Sequence, residues 1–207
     1  MSAPASPSVP DFVAARRSIR AFRDQPVPKA ALDRAVEAAC LAPAPHHSRP
    51  WRWVVVDTPA AKAALADGMG ARWHADLTGD GVAAERVDEL VRASERKLTG
   101  APALVLGCLT WDGLHEYPDE ARRRAEWGMA LLSLGAAMEN LMLTLADDGL
   151  ASCWVAAPIF CPDAARDALE LPDAWLPHAM ALVGYPDAAY VVPVRPPVPM
   201  EDLRAHR

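Results

Sequence analysis

The stretch ARRSIRAF, residues 15–22, holds the densest set of groups able to do chemistry. Arg16, Arg17, Ser18 and Arg20 place three guanidinium groups and one hydroxyl within five residues. On a continuous helix Ser18 would point roughly opposite to Arg16 and Arg20. If the helix stops near Arg17 and the chain extends, Ser18 and Arg20 share a side through the two-residue alternation. Such a convergence suits a phosphate, each charge-assisted hydrogen bond contributing about 1.5–3 kcal/mol. A solvated basic helix end would carry the same residues.

A second candidate is APAPHHSRPWRWV, where two histidines and an arginine sit on a proline-stiffened loop just before an apolar run. Adjacent histidines point in different directions and no carboxylate lies nearby, so no metal site is expected. The loop can serve as a ligand edge or simply pack. HADLTGDG starts like a calcium loop at Asp76, Thr78, Asp80 and Gly81, but Val87 stands where that loop needs a glutamate. Gly79, Gly81 and Ala84 imitate a dinucleotide fingerprint without the preceding strand. The sequence has no GxSxG, HExxH or Walker loop, so a hydrolase with an activated nucleophile has no support.

These groups need a frame, and its centre is Asp119–Gly149. Strong helix formers and the absence of proline predict one helix of about eight turns. Beyond Trp127 it is apolar or small on every side, which demands burial on every side. Glu139, Asn140 and the Asp147-Asp148 exit argue against a membrane span. Small residues at Gly128, Gly135, Ala136 and Ala137 would let another backbone approach, so a two-fold homodimer is the expected source of burial.

The whole chain has 207 residues, 52% of them hydrophobic and 23% charged, which fits one domain with ample core material. With a net charge of −6 and no Lys/Arg-rich run, nucleic acid and anionic membranes are not expected partners. Cys40, Cys108, Cys153 and Cys161 lie in or beside apolar runs without tight spacing, implying buried, reduced thiols in the cytoplasm. Residues 1–10 read as a flexible lead-in, and residues 11–207 as one domain. A short helix caps at Asp11, and a second opens at Pro28 and ends at Pro43. WRWVVVD, PALVLGCL, LASCWVA and HAMALVGYP read as strands, the first buried on both faces. A helix runs from Thr58 through AAKAALADGM, residues 70–81 read as a loop, and VAAERVDELVRASERKL is an amphipathic helix. CPDAARDALEL is a short helix, and the proline-rich tail from Ala188 is an extended arm. The sum is a three-layer α+β arrangement.

Together these stretches resemble the nitroreductase family of flavoproteins over residues 12–195. RRSIRAF is similar to the family's opening motif, which holds the phosphate and ribityl end of FMN. PAPHHSRPW stands where the family has Pro-Ser-x-x-Asn-x-Gln-Pro-Trp. GLASCWVA is similar to its Gly-Leu-Gly-Ser-Cys-Trp strand, whose following backbone meets the hydride-carrying edge of the flavin. GYPDAAYVVPVRP ends on an arginine where the family again grips the phosphate. His47 and Arg49 replace the common Asn and Gln. APAPHHxRP, DLTGDG and YPDxAR resemble one branch of the family, the C-terminal domain of FbiB, which works on the deazaflavin coenzyme F-420.

The resemblance implies a central mixed sheet flanked by helices in an intertwined homodimer, with FMN at the interface. It implies that Arg16, Arg17, Ser18, the Ile19 backbone, Arg20 and Arg195 hold the phosphate end. Ala44, His47 and Arg49 would line the ribityl and pyrimidine side, and Val155 and Ala156 would approach the isoalloxazine. Asp76 would touch a deazaflavin substrate, or merely cap its loop. The implied reaction is reduction of dehydro-F-420, with a proton from His46, Asp76 or Tyr117. A general NAD(P)H-dependent nitro- or quinone reductase is the alternative, and a flavin- or deazaflavin-binding protein without turnover is a third reading.

Overall fold

The computed structural model describes residues 11–207; the expected flexible lead-in at 1–10 lies outside the described residues. The helices are α1 (Asp11–Ala15), α2 (Lys29–Ala39), α3 (Pro59–Gly79), α4 (Ala84–Gly100), α5 (Glu120–Asp147), α6 (Pro162–Ala168) and α7 (Met200–Leu203). The strands are β1 (Trp51–Val56), β2 (Ala103–Leu109), β3 (Ala151–Val155) and β4 (Leu176–Gly184). They form one sheet in the order β1-β2-β4-β3, each neighbouring pair antiparallel. A parallel bridge from Ser18 to Ser152 adds the N-terminal segment to the β3 edge.

Side-chain alternation along the two central strands divides the core into two layers. Ala103, Val105 and Leu109 of β2, with Ala179, Ala181 and Val183 of β4, pack against α2 and α5. Leu104 and Leu106, with Met180 and Leu182, face the opposite way onto α3 and α6. The result is the three-layer α+β fold expected, with β2 buried throughout. β1 differs from expectation. It is an edge strand, only its end residues Trp51 and Val56 are buried, and Val55 is exposed. Its apolar run reflects one covered face and one partly open one.

The central helix runs as α5 for 28 residues, with the Asp119 side chain accepting from the Arg122 N–H at its start. Within the chain it is covered on one side only. Leu134, Met138, Leu141 and Leu145 are buried, whereas Leu132 is 77% exposed. Gly128 and Gly135 face open space. α5 is the one helix among the described residues long and apolar enough to cross a membrane, but its covered side packs into the sheet.

Residues 70–79, expected within a loop at 70–81, instead continue α3. Thr58 caps the helix and Arg72 pairs with Asp76 one turn on. Gly70, where the loop was expected to begin, serves close approach, as does Gly68 inside the expected helix. A Cβ on Gly68 would meet Ala168 at 3.0 Å, and one on Gly70 would meet the Glu95 carboxylate at 3.1 Å. The turn comes later, at Gly81 with φ +78°. Cys40 is also exposed, against expectation, because it follows the last residue of α2; the other three thiols are buried and free.

Gly184 ends β4 with no room for a methyl group: a Cβ would lie 2.8 Å from two ring atoms of Pro102 and 2.9 Å from Phe22. Gly184→Ala is therefore expected to lower stability by about 1–3 kcal/mol, read as a shift in the urea unfolding midpoint. An unchanged midpoint would contradict this packing.

Candidate functional site

α1 stops at Ala15 and the next residues are extended, so Ser18 and Arg20 do share a side. The Ile19 N–H donates to the Ser152 carbonyl at 3.0 Å, which fastens this segment to β3. That N–H is thereby committed and cannot serve a ligand. Arg16 Nε donates to Glu139 of α5 at 2.8 Å. From the far end of the chain, Arg195 Nη2 donates to the Arg16 carbonyl at 2.7 Å, and Arg17 donates to the Pro193 carbonyl. Arg16, Arg17, Ser18, Arg20, Pro193 and Arg195 line a cavity of about 260 Å³. Four arginines line it and its lining holds no carboxylate. That donor set fits the phosphate of a nucleotide-like cofactor.

Ala44, His47 and Arg49 lie elsewhere. None lines the arginine cavity. Ala44 packs by α5 in a shallow groove with Met129, Leu132 and Ser133, while His47 and Arg49 are exposed. Their loop is strained: His46, His47 and Arg49 have φ of 54°, 54° and 48°. Non-glycine residues in this region cost on the order of 1–3 kcal/mol each and persist where the surroundings fix them, often at ligand clamps. Here the His46 ring stacks on His115 at 4.3 Å and 17°. His115 also bonds through its backbone N–H to the buried Glu126 at 3.1 Å.

A third place assembles where β3 ends. Met69, Arg72, Trp73 and Asp76 of α3, with Phe160 and Cys161, line a largely apolar cavity of about 450 Å³ that Ser94 of α4 helps close. Asp76 thus stands on a helix, hydrogen-bonded to Arg72 Nε at 3.0 and 3.2 Å. This pairing raises the Arg72 guanidinium further above its ordinary range. Val155 and Ala156 immediately precede this wall, but Ala157, Phe160 and Cys161 form it. Of the three proton candidates, Asp76 is in this cavity. His46 and Tyr117 gather around His115 instead, near the start of α5.

One cation escaped the sequence reading. Burial pushes the Cys153 thiol up, and Arg20 and Lys97 both oppose that shift. Lys97 of α4 therefore stands within electrostatic reach of Cys153 in β3, but it does not line the arginine cavity. Nothing in the run SERKL distinguishes it from its charged neighbours.

A family model described as the nitroreductase family matches residues 13–185. The chain belongs to the nitroreductase family. It is 31% identical over 185 residues to the NADH dehydrogenase of Thermus thermophilus, covering 83% of each chain. The BluB-like flavoprotein of Clostridium difficile has the same fold, with a TM-score of 0.80 at 22% identity, covering 98% of this chain and all of that one. NfnB from a Sphingopyxis strain, an FMN- and NADPH-dependent nitroreductase, aligns with a TM-score of 0.69 at 23% identity over 95% of this chain and 97% of its own. Membership makes this chain a flavin-dependent oxidoreductase with FMN as its cofactor. The arginine cavity has the chemistry that FMN's phosphate requires.

The thiols give a direct check of this arrangement. Burial pushes Cys108 up to about 12 and raises Cys161 as well, so both stay protonated near neutral pH, where the thiolate is the reactive form. Treating the folded protein with a thiol reagent near neutral pH should modify Cys40 first, with Cys108, Cys153 and Cys161 reacting only on unfolding. Early modification of Cys108, read by peptide mass, would contradict its placement in β2.

Proposed function

We propose that this chain reduces a planar, conjugated acceptor bound in the cavity between α3, α4 and the turn after β3. The observation that supports this reading most is the position of two cavities along one strand. The arginine cavity adjoins Ser152 through Ser18, and the apolar cavity adjoins Ala157. The extended run of β3 from Ser152 to Val155, roughly 10 Å, and the turn at Ala156 separate them. A flavin carrying a ribityl phosphate bridges that span with its phosphate among the guanidinium groups and its ring beside the apolar wall. FMN, when bound, supplies the hydride chemistry, and the protein supplies binding, orientation and exclusion of water.

In this reading Arg16, Arg17, Ser18, Arg20 and Arg195 hold the phosphate. The working form is a homodimer paired through the open side of α5, where Leu132 is exposed and Gly128 and Gly135 admit close approach. Across the two-fold axis the loop bearing Ala44, His47 and Arg49 meets the partner's arginine cavity, which accounts for its distance from that cavity in its own chain. Buried free thiols fit a reducing, cytoplasmic setting.

The acceptor we favour is dehydro-F-420, whose double bond lies beside a carboxylate. Its support is the group of FbiB-like strings, one of which supplies Asp76 to the cavity wall. A general NAD(P)H-dependent nitro- or quinone reductase is the second reading, favoured by the functions that the Thermus and Sphingopyxis relatives' names carry. Mixing the reduced, FMN-loaded protein with dehydro-F-420 and with a nitroaromatic separates them. Reoxidation by the nitroaromatic alone removes the first. Flavin that no reductant and acceptor can cycle removes both and leaves a binding protein.

Two substitutions test the site. Arg195→Ala should weaken FMN binding roughly 10- to 150-fold, the loss of one hydrogen bond to a charged group, measured by fluorescence titration. An unchanged affinity removes Arg195 from the phosphate site. Leu132→Asp should convert the dimer to a monomer in sedimentation and release FMN with it; a variant that remains dimeric places the interface elsewhere.

A further inference from the structure

The apolar cavity carries one charged feature, the Arg72–Asp76 pair on its α3 wall. Met69, Trp73 and Phe160 around it offer only apolar and aromatic surface. Arg72 engages Asp76 through Nε alone. Its two outer nitrogens, the ends of the fork that bind a carboxylate bidentately, hydrogen-bond to nothing among the described residues. The pair is half exposed, 54% and 46%, at i,i+4 spacing on one helix. Such pairs are weak, so a better-placed oxyanion can replace the internal one.

We infer that Arg72 selects acceptors that carry a carboxylate, and that Asp76 is the internal anion such an acceptor displaces. The inference rests on the proposed reading that the acceptor occupies this cavity, and it deepens that reading by assigning the specificity. Asp76 is then a competitor that restrains Arg72, and its own charge opposes the acceptor. An aromatic ring settles against Trp73 and Phe160 while its carboxylate takes the free side of the fork. The phosphates of a nicotinamide donor share the oxyanion chemistry, so the test keeps donor and acceptor apart.

The probes are 4-nitrobenzoate and 4-nitrobenzamide, close in shape and differing in charge. Their dissociation constants are measured by calorimetry on the oxidised, FMN-loaded protein. KM and kcat are measured with chemically reduced flavin and no nicotinamide present. The benzoate should bind about tenfold more tightly, the scale of one partly exposed charge-assisted contact. Arg72→Gln should bring the two constants together by weakening the benzoate. Asp76→Asn should tighten the benzoate several-fold, with the change in KM and little in kcat. Equal affinities, a preference that survives Arg72→Gln, or binding of neither compound overturns the inference. It is also overturned if Arg72→Gln raises only the KM for NADH or NADPH, since Arg72 then reads the donor. Failure of the functional reading looks different: neither compound reoxidises the flavin although the charge preference in binding persists.

Discussion

Guanidinium groups gathered in one place repel one another, and something else must hold them there. In this chain backbone carbonyls do much of the holding. The Pro193 carbonyl accepts from Arg17 and the Arg16 carbonyl accepts from Arg195. These bonds orient the forks and leave their charge uncompensated. Glu139 is the one carboxylate hydrogen-bonded to the cluster among the described residues, and it sits on α5 behind Arg16. A cavity so built stays electropositive until an anion enters, and the flavin phosphate is the anion proposed for it.

The same helix organises the rest of the site. Its buried side fixes the sheet through Leu134, Met138 and Leu141. Its first turns hold Trp127 against Trp111 and Glu126 against His115, setting the loop on which His46 rests. Its middle turns carry Glu139 to the arginines. Any shift of α5 along its axis therefore moves the loop and the phosphate cavity together, and the open side around Leu132 is where such a shift can be imposed or prevented.

Much of this was legible in the chain because the relevant signals are local. β2 and β4 announce themselves by unbroken apolar runs, and α5 by helix formers without proline. The arginine cavity is readable because Arg16, Arg17, Ser18 and Arg20 are neighbours in sequence. What failed depended on distant partners. β1 reads as doubly buried, yet its edge position is set by which strands pair, a non-local fact. Gly70 reads as the start of a loop because its use, close contact with α4, lies outside the segment. Asp76 was singled out from its motif, but only the helix shows that Arg72 already holds it.

The bond between Arg195 and Arg16 joins residues 179 positions apart. A ribosome making this protein releases the arginine segment well before the residue that fastens it. Throughout synthesis the N-terminal guanidinium groups are present without the clasp that shapes them into a pocket. On the proposed reading, flavin capture waits until the chain has passed Arg195, and cutting the chain ahead of Pro193 should disarm the enzyme while leaving its core intact.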